Sequence, residues 1–454
     1  MKKTGTILMA LVGLLSLTAC PGGFTPDKLT FNTDVCYPDF SGNASSNTRP
    51  VVLVNITSGT PWTLENSAPE HFQTNIRGGG AGNFVIEIQL TQLFVEKIEA
   101  NSLTLTDNIV GRITVTNETS IRDLLVRYQG NGSRNNPRLI FIAADLQDMN
   151  KHLDWYYGLA KDITVNNWLP IGDNVVPANN FTGVLDGQGH RIHIESFSPN
   201  VPLGGGYCYG VIGYASSRAL VQNLHVHVSA PANTVKGDAP VRYGGIAGHI
   251  NESTRIENCK VSGALIYEGQ SFVYLGGIAG YMVASTGGIS NCVSEAAINV
   301  RSTNEIRVGG LVGACHEGIL SHSYATGVVS GVVSGTGACL VGGLAGNAVY
   351  SSILSCVALS ASVKGIIANG TCGVGRIAGW ELSPTLDKNY ANVSMTLTGG
   401  VVTPGLTTKD GTSVALSATR NQGWWQTTGP GFAFSSIAWK WGSSTMLPKL
   451  YWEN

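Results

Sequence analysis

The middle of the chain repeats one pattern of apolar residues and glycines. A phrase of the form Gly-Gly-Ile-Ala-Gly occurs in six related versions, and their closing glycines lie 32 to 35 residues apart: Gly213, Gly248, Gly280, Gly313, Gly346 and Gly379. A fixed period of this length is typical of a solenoid, in which each unit buries its apolar face only by stacking on its neighbours. Function must then be sought on a long repetitive surface.

A second short strand is predicted after each glycine phrase, beyond a polar turn. Alternation of side chains places one column of small or apolar residues towards the interior: Leu224, Cys259, Cys292, Ser323 and Cys356. Like residues stack on like in a parallel β-helix, so a polar residue repeated at one turn can form a hydrogen-bonded ladder. We expect such a ladder at Asn223, Asn258, Asn291 and Asn389.

The region before the repeats has a different pattern. Five runs rich in β-branched residues alternate with polar turns, without a helical stretch: 51–56, 84–90, 102–106, 111–115 and 124–128. Several short strands of this kind predict a β-sandwich-like domain at residues 51–137. The predicted fold class is therefore all-β, a right-handed parallel β-helix solenoid preceded by a small β-sandwich-like domain.

The first twenty residues carry an export pattern. Lys2 and Lys3 precede an apolar run, and Leu17-Thr-Ala-Cys20 then places small residues before a cysteine. This resembles a bacterial lipoprotein signal, which implies a signal peptide at 1–19, lipidation of Cys20 and a lipid-anchored linker at 20–50. The apolar run is shorter than the ~20 residues that cross a bilayer, and an ordinary secretory signal is the alternative. The expected location is the bacterial cell envelope, at the outer membrane or cell surface.

Four segments near the start of the repeats resemble a known family. They are Ile140-Phe-Ile-Ala-Ala-Asp-Leu-Gln-Asp-Met149, Tyr156-Tyr-Gly-Leu-Ala-Lys-Asp-Ile-Thr164, Trp168-Leu-Pro-Ile-Gly172 and Phe181-Thr-Gly-Val-Leu-Asp-Gly-Gln-Gly-His190. Together they resemble the opening coil of bacterial surface proteins with GLUG repeats, and the glycine phrases resemble the GLUG motif itself. The resemblance covers roughly residues 138–400 and implies a GLUG-type parallel β-helix at 138–420.

Composition excludes one class of partner and leaves the cysteines open. Charged residues make up 13% of the chain, the formal net charge is −1 and there is no basic run, so nucleic-acid binding has no support. Cys259 and Cys292 belong to the interior column, where buried thiols acting as small apolar groups are favoured over a disulfide. Four cysteines near turns are better disulfide candidates: Cys208, Cys315, Cys339 and Cys372.

Carboxylates are too sparse on the repeats to indicate catalysis. Cleavage of polysaccharides requires paired carboxylates, or carboxylates that hold Ca²⁺ beside a basic residue. None occurs from Gly318 to Trp380, and those elsewhere do not recur at one position of the repeat. The phrase Asp186-Gly-Gln-Gly-His190 superficially suggests a catalytic histidine, but the resemblance assigns it to a turn of the opening coil. We therefore predict no enzyme, no catalytic residue and no cofactor.

Histidines near the opening coil are the remaining metal candidates. His225 and His227 share a strand face, and His190 and His193 lie in the preceding coil. Zinc requires three or four converging ligands, and no carboxylate or thiol joins this group in an obvious way. Solvated surface histidines are favoured, and no metal is predicted.

Aromatic residues concentrate at the end of the chain. Five of the nine tryptophans lie in the last 31 residues: Trp424, Trp425, Trp439, Trp441 and Trp452. This segment resembles the closing segment of GLUG-repeat proteins, and we predict an aromatic cap at 421–454 over the open end of the solenoid. The alternative is that Trp424 and Trp425 bind a ligand by stacking on sugar faces.

The resemblance and the architecture together indicate a function. We expect a non-enzymatic cell-envelope lipoprotein that acts as an adhesin or surface interaction protein. Its expected partners are the membrane, through the lipid at Cys20, and host proteins or glycans. The alternative is a carbohydrate-binding or polysaccharide-degrading β-helix protein.

Overall fold

A computed structural model of the chain describes residues 29–32, 35–36, 51–99, 109–199, 201, 206–229, 234–236, 239–443 and 446–453. The chain divides into two compact units, Met1–Gln129 and Gly130–Asn454. The predicted signal peptide, the lipidation site Cys20 and the predicted strand at 102–106 lie outside the described residues. No helix of the described residues is long and apolar enough to span a membrane.

The N-terminal unit contains two sheets around one apolar core. The first has the strand order Thr30–Phe31, Val51–Ser58, Gly82–Leu90 and Phe72–Thr74, and the second has the order Val35–Cys36, Ile121–Arg127, Ile109–Asn117, Trp62–Asn66 and Gly78–Gly79. All pairs are antiparallel except that of Val35–Cys36 with Ile121–Arg127. Ile86 of the first sheet and Ile113 and Val126 of the second are fully buried in the shared core.

One element of this unit departs from the expectation of strands without helices. Gln92–Glu99 is an α-helix. Its first turn is capped by Thr91, whose hydroxyl accepts a hydrogen bond from the Phe94 amide at 3.2 Å. Phe94 is fully buried, and its ring contacts Tyr128 edge to face. The Thr91 cap and the buried Phe94 ring anchor the two helical turns on the core.

The C-terminal unit is a parallel β-solenoid, as the glycine period predicted. Five lines of strands run along it; lines 1 and 2 begin in the first coils, and lines 3, 4 and 5 begin later, at Thr234, Tyr207 and Ile212. Line 1 consists of Arg138–Ile140, Tyr156–Leu159, Val184–Asp186, Leu220–Gln222, Arg255–Glu257, Gly288–Ser290, Ile319–Ser321, Ser352–Leu354 and Thr385–Asp387. Line 2 consists of Ile163–Val165, Arg191–Ile194, His225–Val228, the start of Lys260–Gly269, Val293–Ser294, Tyr324–Ala325, Val357–Ala358, Tyr390–Asn392 and Thr412–Val414.

Lines 3 to 5 complete the later coils. Line 3 consists of Thr234–Val235, the rest of Lys260–Gly269, Ala297–Ser302, the first parts of Val329–Gly342 and Ser362–Gly375, and Thr396–Thr398. Line 4 consists of Tyr207–Tyr209, Val241–Gly244, Val273–Gly276, Ile306–Gly309 and the last parts of Val329–Gly342 and Ser362–Gly375. Line 5 consists of Ile212–Ala215, Ala247–Asn251, Ala279–Val283, Val312–His316, Ala345–Val349 and Ala378–Leu382.

The interior contains the predicted column of small and apolar residues. Leu224, Cys259, Cys292, Ser323 and Cys356 are fully buried. The described cysteines of the solenoid are free thiols, and burial raises the pKa of Cys315 and Cys356 to about 12. These thiols stay protonated near neutral pH and pack as apolar groups. Leu146 and Met149, from the helical segments Ala143–Gln147 and Asp148–Lys151, pack against the same core.

The expected asparagine column is confirmed at Asn223, Asn258 and Asn291, but it is wrong at Asn389 and its cause differs from the one expected. The column between lines 1 and 2 has left-handed backbone, with φ from 46° to 56°, at Gln188, Asn223, Asn258, Asn291, His322, Ser355 and Lys388. Asparagine suits this position because it tolerates left-handed φ. The backbone amides form the ladder, as in the bond from the Asn258 amide to the Ser290 carbonyl. Lys388 occupies the position in the last coil, while Asn389 is buried in the cysteine column.

The aromatic C-terminal segment lies along the flank of the solenoid, so the predicted cap over the open end is wrong. We call the described part of residues 415–453 the strap; it contains the short helices Ala418–Arg420 and Trp424–Thr428 and the strands Trp439–Lys440 and Lys449–Leu450. The strap packs on the outer side chains of line 2 in four consecutive coils: Val293, Tyr324, Val357 and Tyr390. These outward apolar side chains need a cover, and the strap supplies it.

The open end is closed by a polar contact. Arg376 replaces the second glycine of the repeated phrase, and its guanidinium donates hydrogen bonds to the backbone carbonyls of Asp410 and Gly411 at 2.9 and 2.8 Å. The Asp410 carboxylate accepts from the backbone amides of Arg376 and Thr403. Arg376 and Asp410 are both buried. A side chain fits here because no further coil follows at this position.

Candidate binding groove

The glycine phrase forms an inside corner between lines 4 and 5. The two lines are separated by only two residues, such as Gly245 and Ile246 in one coil. A Cβ atom on the closing glycine Gly280 would lie 2.3 Å from the backbone nitrogen of Tyr243, and one on Gly313 would lie 2.4 Å from that of Leu275. Lines 4 and 5 of adjacent coils therefore pack backbone to backbone, and only glycine fits between them.

Outward side chains of the two lines meet at this corner. Tyr274 of line 4 and Tyr281 of line 5 stack with ring centroids 5.0 Å apart and an interplanar angle of 19°. Their neighbours Val273, Leu275 and Met282 point into the core. Side chains that leave opposite walls and touch one another define a concave surface. We call it the ring groove and define it by Tyr214, Arg242, His249, Tyr274, Tyr281, Arg307, His316, Asn347 and Trp380.

Aromatic rings follow one another along the solenoid axis in the ring groove. Tyr214, His249 and Tyr281 are register partners in three consecutive coils of line 5. The ring centroids of Tyr214 and His249 are 4.4 Å apart, and those of His249 and Tyr281 are 4.8 Å apart. The His316 ring continues the row, 5.1 Å from Tyr281. The row has the spacing of the strands, about 4.8 Å per coil.

Two arginines contribute the positive charge of the ring groove. The Arg242 guanidinium lies 5.7 Å from the Tyr281 ring centroid, and that of Arg307 lies 5.1 Å from the Tyr274 centroid. Both distances are within the range of cation–π attraction. Arg307 also forms an ion pair with Glu305 at 2.6 Å. The rings hold the guanidinium planes against the groove wall, and Glu305 neutralises one of the charges.

Buried polar atoms without partners lie at the base of the ring groove. His249 is 7% exposed, and neither of its ring nitrogens has a hydrogen-bond partner. Asn347 is 1% exposed; its amide donates to His316 Nε2 at 3.2 Å, while its Oδ1 has no partner. Burial, assisted by Arg242, lowers the pKa of His249 to about 3, so the imidazole is neutral. Such atoms are costly to bury unless a ligand completes their bonds.

The buried imidazole predicts an acid-sensitive solenoid. An unfolded histidine binds a proton below a pKa of about 6.5. His249 binds one only below about 3 when folded, so its stability contribution is complete above pH 6.5 and declines as pH falls towards 3. Between pH 7 and pH 5 this histidine costs about 2 kcal/mol of unfolding free energy. Denaturant titrations at pH 7 and pH 5 measure the loss of unfolding free energy in the parent protein and in His249→Gln. The loss is expected to be about 2 kcal/mol smaller in His249→Gln. Equal losses in the two proteins would contradict a neutral, buried His249.

The tryptophans predicted to bind a ligand belong to the strap core. Trp425 is fully buried, donates a hydrogen bond from Nε1 to the Thr419 carbonyl and contacts the Tyr324 ring at 5.6 Å. Trp424 is half-buried, edge to face against Tyr390. A fully buried ring cannot stack on a sugar, so the binding role considered for Trp425 is wrong for this conformation. Packing of the strap accounts for both side chains.

The histidines near the opening coil bind neighbouring serines. His225 Nε2 and His227 Nδ1 both lie within hydrogen-bond distance of Ser262 Oγ, at 2.8 and 3.0 Å. His193 Nε2 lies 2.6 Å from Ser229 Oγ. Burial and the nearby cations lower the pKa of His225 to about 4. Within the described ranges, no group of three or more His, Cys, Asp or Glu side chains could hold a metal ion.

The ring groove is not among the features predicted from the sequence, although the repeat contains a signal for it. The residue after each closing glycine is Tyr214, His249, Tyr281, Ala314, Asn347 or Trp380 in turn. The position two residues before the first glycine of the phrase is Arg242, Tyr274, Arg307 or Leu340 in four coils. Aromatic, cationic or amide residues therefore predominate at the first of these positions and occupy the second in three consecutive coils. Only the inside corner reveals that the two columns face one another.

Comparisons with known proteins support the fold more than the activity. No protein-family model matches the chain. A provisionally named Gly-rich membrane protein of Evansella cellulosilytica is 34% identical over 130 residues, 26% of this chain. The match spans 14% of the length of that curated relative. The crystal structure of a Bacteroides ovatus protein, provisionally named an immunoglobulin A1 protease, has a TM-score of 0.50 and 20% identity, covering 72% of this chain and 95% of that one. This likeness establishes the fold alone.

Proposed function

We propose that this chain is a non-enzymatic lipoprotein of the bacterial cell envelope that acts as an adhesin or surface interaction protein through the ring groove. The observation that carries the proposal is the ring row, in which Tyr214, His249 and Tyr281 occupy the same position of consecutive coils and their rings contact one another. Rings and buried polar groups that converge in a concavity are typical of a binding surface. The glycine phrases also support a place among GLUG-motif surface proteins.

The proposed location rests on the N-terminal pattern. Cys20, lipidated after cleavage, would anchor the chain, and the name of the Evansella relative as a membrane protein agrees with an envelope location. Cys20→Ser is expected to shift the protein from the membrane fraction to the soluble fraction. Equal membrane association of both proteins would contradict the lipid anchor, and protease treatment of intact cells tests exposure at the surface.

Hydrolysis is the second candidate function, because the Bacteroides ovatus neighbour is named as a protease. General acid–base chemistry requires a carboxylate or imidazole that can hold and transfer a proton near neutral pH. Glu305, beside the ring groove, is paired with Arg307 at 2.6 Å. Burial lowers the pKa of both His249 and His316. These environments favour binding over proton transfer.

A variant of the stacked tyrosine pair tests the proposed function. Tyr281→Ala is expected to weaken binding to host matrix proteins or glycans at least about tenfold, or 1.4 kcal/mol, because it removes the ring that contacts His249, Tyr274 and His316. Tyr156→Ala is the matched control, since Tyr156 is a half-buried tyrosine on line 1. The measurement is surface plasmon resonance on the purified mature chain, with depolymerisation assayed in parallel.

Two outcomes would contradict the proposal. Equal binding by Tyr281→Ala, Tyr156→Ala and the parent protein would place the interaction elsewhere. Cleavage of a glycan or protein that a single carboxylate substitution abolishes would favour the enzymatic alternative.

A further inference from the structure

We propose that the ligand of the ring groove is an uncharged polysaccharide that lies along the solenoid axis. This inference rests on the proposed function and specifies its ligand class. In the complex, the ring edges and hydroxyls of Tyr214, Tyr274 and Tyr281 contact the sugar chain, and the exposed Trp380 ring stacks on a sugar. His249 and Asn347 form hydrogen bonds with sugar hydroxyls.

The unpartnered polar atoms match hydroxyl groups. A neutral imidazole has one donor and one acceptor, and a hydroxyl can satisfy either nitrogen. His249 is 7% exposed with both nitrogens unpartnered, and Asn347 Oδ1 is a buried unpartnered acceptor. The Asn347 amide group already donates a hydrogen bond to His316. The base of the groove thus offers a donor and two acceptors, a set that hydroxyls complete without any charge.

The ring row matches a repeating ligand. The rings lie in register on successive strands, about 4.8 Å apart. The faces of Tyr274 and Tyr281 are covered by one another and by the two guanidinium groups, so these rings present their edges and hydroxyls to a ligand. A linear polymer can therefore make the same contact in one coil after another. Trp380, 40% exposed, extends the line beyond Asn347 in the next coil.

The charges disfavour a polyanion. Recognition of repeated carboxylates or sulfates uses a series of Arg or Lys side chains. In the ring groove, Arg307 is neutralised by Glu305 at 2.6 Å, and burial lowers the pKa of His249 and His316. Arg242 alone cannot match one negative charge per coil.

The sheet edges disfavour an extended peptide. A peptide that binds by strand addition requires an unpaired strand edge. Ala247–Asn251 and Ala279–Val283, which carry His249 and Tyr281, are each paired on both sides by strands of neighbouring coils. The groove exposes the face of these strands, so a peptide ligand cannot form main-chain hydrogen bonds with their edges there.

The test measures binding of the full mature chain to three kinds of probe. Uncharged polysaccharides are represented by laminarin, mannan and amylose, anionic ones by alginate and hyaluronate, and proteins by gelatin. His249→Phe keeps a ring and removes its hydrogen bonds, and Trp380→Ala removes an exposed ring whose loss leaves the core intact. We expect binding to an uncharged polysaccharide, at least tenfold weaker in His249→Phe, weaker in Trp380→Ala and unchanged in Tyr156→Ala, with circular dichroism verifying folding.

The contrary outcomes separate this inference from the proposed function. Binding only to alginate, hyaluronate or gelatin would overturn the uncharged ligand and leave surface interaction standing. Binding to an uncharged polysaccharide that neither His249→Phe nor Trp380→Ala weakens would overturn the assignment to the groove. Binding to no probe would overturn this inference, and cleavage of a probe would also overturn the proposed function.

Discussion

Replacing Gly343 by alanine is expected to lower the free energy of unfolding by about 3 kcal/mol or more, because overpacking between two backbones cannot relax. Gly343 is the second glycine of its phrase, and a Cβ atom there would lie 2.1 Å from the Arg376 carbonyl oxygen of the next coil. The same clash recurs one coil earlier, where a Cβ on Gly310 would lie 2.1 Å from the Gly343 carbonyl. The coils must separate locally to admit a methyl group.

Gly442→Ala is the matched control for this prediction. A Cβ atom at Gly442 would meet only the flexible side chains of Lys449 and Met446, at 3.8 Å or more. Its expected effect is within about 0.5 kcal/mol. Urea unfolding followed by circular dichroism measures both variants. A Gly343→Ala protein as stable as Gly442→Ala would show that the coils do not stack as described.

Replacing Trp439 by alanine is expected to lower the free energy of unfolding by about 3 to 5 kcal/mol, because it removes a large buried side chain and leaves a cavity. Trp439 is fully buried, and its ring stacks on Phe432 with centroids 4.7 Å apart. Its Nε1 donates a hydrogen bond to Asn291 Oδ1 at 3.1 Å. The variant exposes the outward apolar side chains of line 2 that the strap covers.

The contact between Trp439 and Asn291 distinguishes a strap on the flank of the solenoid from a cap over its end. Asn291 lies in a middle coil, so only a strap that reaches back along the solenoid can contact it. Asn291→Ala leaves the Trp439 N–H without its acceptor and places alanine at a left-handed φ of 51°, so it is expected to cost about 2 to 4 kcal/mol. The double variant Asn291→Ala with Trp439→Phe should show non-additive losses. Additive losses would contradict the contact.

The fold was accessible from the sequence because a solenoid repeats its physical constraints. The closing glycines mark the inside corner in each coil, and alternation around Cys259 and Cys292 identified the interior. The last coil was placed one residue out of register, since Asn389 resembles the turn asparagines but Lys388 occupies the left-handed position. A terminal coil has one neighbour only, so its residues follow the repeat less strictly.

The strap and the site were harder to predict, because the strap depends on contacts distant in sequence and the site depends on the angle between neighbouring strands. The concentration of tryptophans at the end of the chain indicates that this segment covers apolar surface. The sequence around Trp452 does not reveal that its Nε1 donates a hydrogen bond to the Asn258 carbonyl. The ring groove likewise depends on the angle between lines 4 and 5, which brings Tyr274 against Tyr281. Arg376 is a signal that can be recognised in the sequence, because a charged residue replaces a glycine that internal coils require.

Hydroxyl-radical footprinting tests most directly whether the ring groove is the binding surface. The mature chain is oxidised with and without the probe of the panel that binds best, and modified side chains are located by mass spectrometry. We expect protection of Tyr214, Tyr274 and Tyr281, with unchanged labelling of Tyr156. Protection confined to Trp424 and the rest of the strap, with the groove tyrosines labelled equally in both states, would contradict it.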